Sequence, residues 1–242
     1  MTPDARTLYD VIEATWPPAR RWQDGPFTLR DGAGGGKRVS AATTRQPVTA
    51  DELPRAERAM RDTGRPPLFM IRDGEVALDA CLATQGYGIV DPVNIYCAPV
   101  AGLAHAEIPP VTAFAIWEPL AIMLEIWAAG GIGPARVAVM QRVSAPKTAL
   151  FGRQANRPAA AGFVAIHDRI AMVHALEILP RHRRAGLGRH LMAQAARWAA
   201  EHDADHISAV CTQANAAANG LYTSLGMTLM GYYHYRQKDE AD

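Results

Sequence analysis

The sequence predicts an α/β fold with a mixed central sheet flanked by helices. Apolar segments of strand length alternate with segments of helix length along most of the 242 residues, and this alternation is typical of α/β sheets. Apolar residues make up 49% of the chain, which is enough to form a buried core. No run of 18 apolar residues occurs, so the sequence predicts no membrane span.

The first half alternates helices and strands. The predicted elements are helix 4–15, extended segments 27–30 and 37–44, helix 50–62, strand 68–72, helix 75–85 and strand 88–97. The sequence DGAGGGKR at 31–38 links the two extended segments and is similar to a phosphate-binding loop. It lacks the GK[ST] ending and no helix signal follows it. We therefore interpret it as a flexible hairpin turn.

The second half repeats the alternation more strongly. Its predicted elements are helices 117–129 and 134–142, strands 147–153, 160–167 and 170–179, helix 186–202, strand 206–212, helix 216–225 and strand 229–237. Proline, alanine and glycine dominate residues 99–110, a composition typical of a domain boundary. We therefore predict two domains, 1–105 and 106–242.

A weak internal repeat links the two halves. LDACLATQGY at 78–87 and ANGLYTSLGM at 218–227 both place a glycine followed by an apolar or aromatic residue at a helix end. A short apolar strand precedes each segment and a long one follows it. Two copies of one supersecondary unit would explain the pattern, and chance similarity is the alternative.

Charge and cysteine content exclude several protein classes. The formal net charge is +1, with 25 basic and 24 acidic residues, whereas nucleic-acid and anionic-membrane binders carry a large basic excess. Cys81, Cys97 and Cys211 form no CxxC pair, which favours reduced thiols. The first 16 residues contain three acids and no apolar core of a signal peptide. We therefore expect a cytoplasmic protein without a nucleic-acid or membrane partner.

Metal binding is not predicted. His202 and His206 have the spacing of two helical metal ligands. The spacing spans the predicted helix end, and the sequence shows no third ligand.

The segment RHRRAGLGRHL, residues 181–191, has the features of a diphosphate site. It follows an apolar strand and begins a helix, whose first turn has free N–H groups and a partial positive charge. Gly186 and Gly188 remove side chains that would keep a ligand from the backbone. Three arginines, Arg183, Arg184 and Arg189, add charge. A solvated basic helix start is the alternative interpretation.

Two motifs resemble the signatures of the GNAT N-acetyltransferase superfamily. Arg183-x-x-Gly186-x-Gly188 resembles its acetyl-CoA-binding motif, Q/R-x-x-G-x-G/A. NAAANGLYTSLG at 215–226 resembles its second signature, N-x-x-A-x-x-L-Y-x-x-x-G. The resemblance covers about residues 133–237, and the first half matches the family only in element order. It implies a GNAT-like sheet, with a degenerate first half that has no cofactor site.

The resemblance implies acetyl-CoA as acyl donor and an amine as acceptor. The backbone of Leu176–Ile178 would bind the pantetheine arm, and the N–H groups of 184–189 would bind the diphosphate. The implied cofactor-binding residues are Leu176, Ile178, Arg183, Arg184, Ala185, Gly186, Leu187, Gly188, Arg189 and Asn215. The sequence does not distinguish a small-molecule from a peptide acceptor. Many members of the superfamily form dimers.

The resemblance also implies catalytic roles. Tyr222, at the tyrosine of the second signature, would protonate the leaving thiolate, and a core tyrosine is the alternative. His174 lies where arylalkylamine N-acetyltransferases have a proton-relay histidine, although their second histidine is replaced here by Met172. Glu177 and solvent are the alternative proton acceptors. A non-catalytic acyl-CoA-binding regulatory module is the alternative function.

Overall fold

The first half of the chain folds into short helices and strands. The computed structural model describes residues 2–238. The elements of this half are α1 (Ala5–Thr15), β1 (Arg20–Asp24), β2 (Phe27–Asp31), β3 (Thr43–Thr44), α2 (Leu53–Arg61), β4 (Leu68–Arg72), α3 (Val76–Thr84), β5 (Gly88–Pro99) and α4 (Ala101–Ala104).

The second half contains longer strands. Its elements are β6 (Ala113–Ile116), α5 (Ala121–Ala129), α6 (Pro134–Arg142), β7 (Lys147–Gln154), β8 (Arg157–His167), β9 (Ile170–Ile178), α7 (Leu187–Glu201), β10 (His206–Thr212), α8 (Ala216–Ser224) and β11 (Thr228–Gln237). Within residues 2–238, no helix is both long enough and apolar enough to cross a membrane.

One mixed sheet of eight strands organises the molecule and confirms the predicted fold class. Its order is β4-β11-β5-β10-β9-β8-β7-β6, and β1-β2-β3 form a separate antiparallel sheet. The helix α7 packs Leu191, Ala195 and Ala199, all fully buried, against one face of the large sheet. Their spacing of four residues places them on one side of the helix. Helices α1 and α5 cover the other face.

A local twofold symmetry relates β4–α3–β5 to β10–α8–β11. The last strand of each unit pairs with the first strand of the other, since β5 pairs with β10 and β11 pairs with β4. Cys97 lies opposite Ser208, and Gln237 lies opposite Leu68. A shift of 140 residues converts one unit into the other, taking Leu68 to Ser208 and Cys97 to Gln237.

The same shift relates two hydrogen-bond clusters that fasten each helix to the strand of the other unit. Asn219 on α8 accepts two hydrogen bonds of 2.9 Å from β5, and Asp79 on α3 accepts two of 2.7 Å from β11. The donors are Asn94 and Tyr96 on β5, and His234 and Arg236 on β11. The correspondence covers only these units, so a tandem origin and the boundary at 105 stay predictions.

The structure differs from the elements predicted from the sequence at three places. Residues 37–39 form a 3-10 helix rather than an extended segment. The strand β6 lies just before the segment predicted as helix 117–129, and that helix begins only at Ala121, after Pro119. The strand β1 was not predicted from its polar sequence RRWQD.

The glycine-rich loop 31–36 is a packed loop and not a flexible hairpin turn. A Cβ atom at Gly35 would lie 2.5 Å from Cγ2 of Val139 on α6, and one at Gly32 would lie 2.5 Å from Cγ2 of Val39. Both positions therefore require glycine for close packing. Sequence reasoning missed this because Val139 is more than 100 residues away.

Candidate active site

A gap opens in the sheet between β9 and β10. The two strands pair in parallel only over residues 170–173 and 206–209. Beyond this point β9 continues along β8 to Ile178, while β10 continues along β5 to Thr212. The gap therefore exposes backbone groups of both strands in the middle of an otherwise continuous sheet.

A β-bulge in β9 shapes one side of this gap. Ala175 has a positive φ of 51°, and its carbonyl accepts a 2.8 Å hydrogen bond from Nε1 of Trp127. The N–H of Leu179 donates to β8. Because backbone groups alternate in direction along an antiparallel ladder, those of Ile178 and Leu176 point toward the gap. The cofactor-binding role of these two residues stays a prediction.

The loop between β9 and α7 presents a row of free N–H groups. The N–H groups of residues 184–188 have no hydrogen-bond partner within residues 2–238. Positive φ angles at Arg184 (65°) and Gly186 (83°) turn the backbone into this arrangement. The predicted contribution of the Arg189 N–H is wrong, because it donates to the carbonyl of Gly186 at 3.0 Å. The other five N–H groups lie together at a helix start, an arrangement that favours an anionic ligand.

Gly188 brings the start of α7 close to its neighbours. A Cβ atom there would lie 3.0 Å from Leu221 on α8 and 3.4 Å from Ile178 on β9. Gly188 therefore fixes the loop near the end of the strand and does not simply leave space for a ligand.

The predicted arginines separate into two groups. Arg183 turns back to β9, where its Nε donates to the Ile178 carbonyl at 2.8 Å and its Nη2 pairs with Glu177 at 3.0 Å. Arg189 donates to Ser224 at the end of α8. Arg184 is exposed and has no ion-pair or hydrogen-bond partner in the described part of the chain. Its charge therefore remains available beside the free N–H groups.

Glu177 is held between Arg183 and α5. A Cβ atom at Gly130, at the end of α5, would lie 2.5 Å from the Glu177 carboxyl carbon. The carboxylate is therefore packed against the helix end and paired with a cation. Glu177 thus has a structural role, in which it joins β9 to Arg183 and to the end of α5. Its role as a base stays a prediction.

Tyr222 lies in the core beside the gap. It is buried on α8, its ring centroid is 5.5 Å from that of Tyr96, and it packs in the same cluster as Cys211. Burial raises its pKa, so the phenol keeps its proton at neutral pH. No residue from 2 to 238 hydrogen-bonds its hydroxyl.

Asn215 caps α8, because its side chain accepts a 3.0 Å hydrogen bond from the N–H of Ala218.

His174 is buried with both ring nitrogens engaged. Nδ1 lies 3.0 Å from Nη1 of Arg38, and Nε2 lies 2.9 Å from Oγ1 of Thr15. Arginine can only donate, so Nδ1 accepts and Nε2 carries the proton. Thr15 in turn donates to the Val11 carbonyl at 2.6 Å. Burial, with the charge of Arg38, lowers the pKa of His174 well below its usual value. The ring is therefore neutral and has no free lone pair.

A cavity of about 450 Å³ lies next to the gap. His174, Ala175, Cys211 and Thr212 line its side toward β9 and β10. The opposite side is lined by Trp16, loop residues 35–38, Asp91 and Val93 of β5, Arg136 of α6, and Tyr233 and Tyr235 of β11. The first half thus supplies much of this wall.

The cysteine in the cavity is not activated. Burial raises the pKa of the Cys211 thiol to about 11, so at neutral pH the thiol is protonated and a poor nucleophile.

Within the described residues no cluster of three or more metal-ligating side chains occurs. His202 and His206 therefore belong to no such cluster.

Residues 138–227 match the family model described as Acetyltransferase (GNAT) family. The match includes both signatures and confirms, for residues 138–227, the resemblance that they carry. No curated protein matches the sequence.

Solved structures resemble nearly the whole chain. A GCN5-related N-acetyltransferase from Kribbella flavida has a TM-score of 0.74 and 22% identity, over 98% of this chain and 96% of that one. A GNAT-family acetyltransferase from Novosphingobium aromaticivorans has a TM-score of 0.56 and 16% identity, over 94% and 96%. A tandem GNAT protein from the clavulanic acid biosynthesis pathway has a TM-score of 0.64 and 12% identity, over 94% and 86%. These likenesses establish the fold.

The buried neutral state of His174 predicts a pH-dependent stability. The unfolded chain binds a proton at His174 below pH 6.5 and the folded chain does not, so stability is complete above pH 6.5 and falls as the pH decreases below it. The expected loss is up to about 1.4 kcal/mol per pH unit. Denaturant unfolding between pH 7.5 and 5.5 measures this slope. His174→Gln should have a smaller slope, and an equal slope in both proteins contradicts the assignment.

Proposed function

We propose that this chain, whose residues 138–227 form an acetyltransferase domain of the GNAT family, transfers an acetyl group from acetyl-CoA to an amine. Acyl transfer is the chemistry of the family. The choice of acetyl-CoA rests on the five unpartnered N–H groups of residues 184–188, because consecutive free N–H groups at a helix start match the oxygens of a diphosphate.

The remaining contacts support a donor that enters the gap from the side of α7. The backbone of Leu176 and Ile178 faces the gap and would hydrogen-bond the amides of the pantetheine arm. The thioester would then lie between β9 and β10, close to Cys211. The cavity on the other face of the sheet reaches the same place through Ala175 and Cys211. Donor and acceptor would therefore meet at the gap from opposite faces.

The reaction would proceed by direct attack. The lone pair of a neutral amine attacks the thioester carbonyl carbon, a C–N bond forms and the C–S bond breaks. The protonated Cys211 thiol argues against an acyl-enzyme. Tyr222 would give its proton to the departing sulfur. The nitrogen loses one proton as the amide forms, and a proton from solvent restores the Tyr222 hydroxyl. The products are the N-acetylated amine and CoA thiol.

Three acceptors for the amine proton differ in what they require. His174 would have to release its hydrogen bond with Arg38, and Glu177 would have to leave its ion pair with Arg183. Solvent in the open cavity requires neither change. We therefore assign the proton to solvent, with His174 and Glu177 as the groups to test against it.

His174 is hydrogen-bonded to Arg38 and Glu177 is paired with Arg183, so neither is free to act as a base, and this favours one rival function. A module that binds acyl-CoA without turnover would keep the free N–H groups and would need no base. Release of CoA thiol in the presence of a broad panel of amines distinguishes the two. Acetyl-CoA binding without any amine-dependent release supports the rival.

The diphosphate site predicts which part of the donor determines affinity. Calorimetric titration should give micromolar binding of acetyl-CoA, and pantetheine should bind at least 100-fold more weakly. Arg184→Gln should weaken acetyl-CoA binding by about tenfold, because it removes one unpaired charge beside the phosphates. Arg58→Gln removes an equally exposed arginine on α2 and should have no effect. Equal affinity for acetyl-CoA and pantetheine contradicts the assignment of the loop.

Tyr222 is expected to act on turnover and not on binding. Tyr222→Phe should lower kcat by about 100-fold and leave the affinity for acetyl-CoA within twofold. Stability should change little, because the hydroxyl has no partner within the described chain. Tyr87→Phe is the matched control, since Tyr87 lies in the other unit and binds Glu57. Unchanged kcat in Tyr222→Phe across a pH profile would rule out the general acid.

A further inference from the structure

Two arginines on the cavity wall have no carboxylate partner. Lys37, on the same wall, pairs with Asp91 at 2.7 Å. Arg38 and Arg136 take part in none of the ion pairs found within residues 2–238. The wall therefore carries two uncompensated positive charges, which favour an anionic ligand.

The guanidinium of Arg38 is fixed with one edge free. Its Nη1 is held by His174 at 3.0 Å, and its carbon lies 5.8 Å from the ring centroid of Trp16. Its Nε is buried and has no hydrogen-bond partner within residues 2–238, and the hydroxyls of Tyr233 and Tyr235 lie beside the guanidinium. The edge formed by Nε and Nη2 is the one through which Arg169 binds both carboxylate oxygens of Asp205, at 2.7 Å each. A free edge of this kind fits a carboxylate.

A second buried donor lines the same cavity. Tyr233 is 1% exposed and its hydroxyl has no hydrogen-bond partner. An unpaired buried hydroxyl costs free energy unless a ligand satisfies it. Arg136 borders the glycine-rich loop, where its guanidinium would lie 3.5 Å from a Cβ atom at Gly36. These groups come from three separate elements, so their convergence on one cavity is a property of the fold.

The anion that these groups fit belongs to the acceptor. The free N–H groups for the donor phosphates lie on the loop before α7. The cavity instead opens on the side of α1 and the loop 35–38, and it meets the gap at Ala175 and Cys211. A molecule in the cavity could thus place an amine at the gap and an acidic group on the arginines.

We propose that the acceptor is an amine that also carries a carboxylate, and that Arg38 and Arg136 bind this carboxylate. The inference rests on the proposed function, because it names the acceptor class of the same site. His174 is then a positioning residue, which fixes the free edge of Arg38 through Nδ1.

The test compares amines that differ only in the carboxylate. The panel contains the twenty common amino acids, their amides, their decarboxylated amines and phosphoethanolamine. CoA thiol release gives kcat/KM for each with the full chain. The acids should exceed their amides and amines by at least tenfold. Arg136→Gln should lower kcat/KM for the acids about tenfold, through KM. It should leave kcat/KM for the amides and the decarboxylated amines unchanged, and Arg58→Gln should change kcat/KM for none of these substrates.

Each other outcome has a defined meaning. Equal kcat/KM for acids and amides, a preference that survives Arg136→Gln, or a higher value for phosphoethanolamine overturns the inference and leaves the proposed function intact. Acetyl-CoA binding without turnover of any acid also overturns it. Failure of the same preparation to bind acetyl-CoA contradicts the proposed function itself, so the two failures are distinguishable.

Discussion

The early separation of β9 from β10 is the constraint on which the rest of the site depends. Four residue pairs join these strands, and then each strand follows a different neighbour. The bulge at Ala175, with its carbonyl bound by Trp127, turns β9 away. A sheet normally pairs all its backbone groups. Here the backbone groups of Leu176 and the N–H of Ile178 face the gap, while the Ile178 carbonyl binds Arg183. They lie directly before the loop whose five N–H groups have no partner within residues 2–238.

Strand β5 supports β10, which forms the other side of the gap. Its residues 93–99 pair with the whole of β10, and its other edge pairs with β11. Asn219 ties β5 to α8, which also carries Tyr222. The first half of the chain is therefore part of the same core as the second. Through Asp91, Arg38 and Trp16 it also forms part of the cavity wall. The half without a cofactor motif would therefore supply some of the contacts that select the acceptor.

Sequence patterns predicted the parts of the site that are local in the chain. The loop 183–188 lies within one short motif, because a helix start determines its own backbone geometry. Asn215 is predicted to bind the cofactor, and the structure shows it as the N-cap of α8, so its cofactor role stays a prediction. No sequence pattern identifies Arg38 and Arg136, because the fold brings them together from about 100 residues apart. His174 was noticed as a base, but its partners Thr15 and Arg38 are distant in sequence and engage both nitrogens. An unpaired buried arginine is a signal that only the folded chain reveals.

Amide hydrogen exchange with and without acetyl-CoA tests the central claim most directly. The N–H groups of residues 184–188 have no partner in the described chain and should exchange rapidly in the free protein. Saturating acetyl-CoA should slow them, together with those of Leu176 and Ile178, by at least tenfold. The middle of α7 should not change. Unchanged exchange at 184–188 in the saturated protein, or protection confined to another surface, would contradict the account.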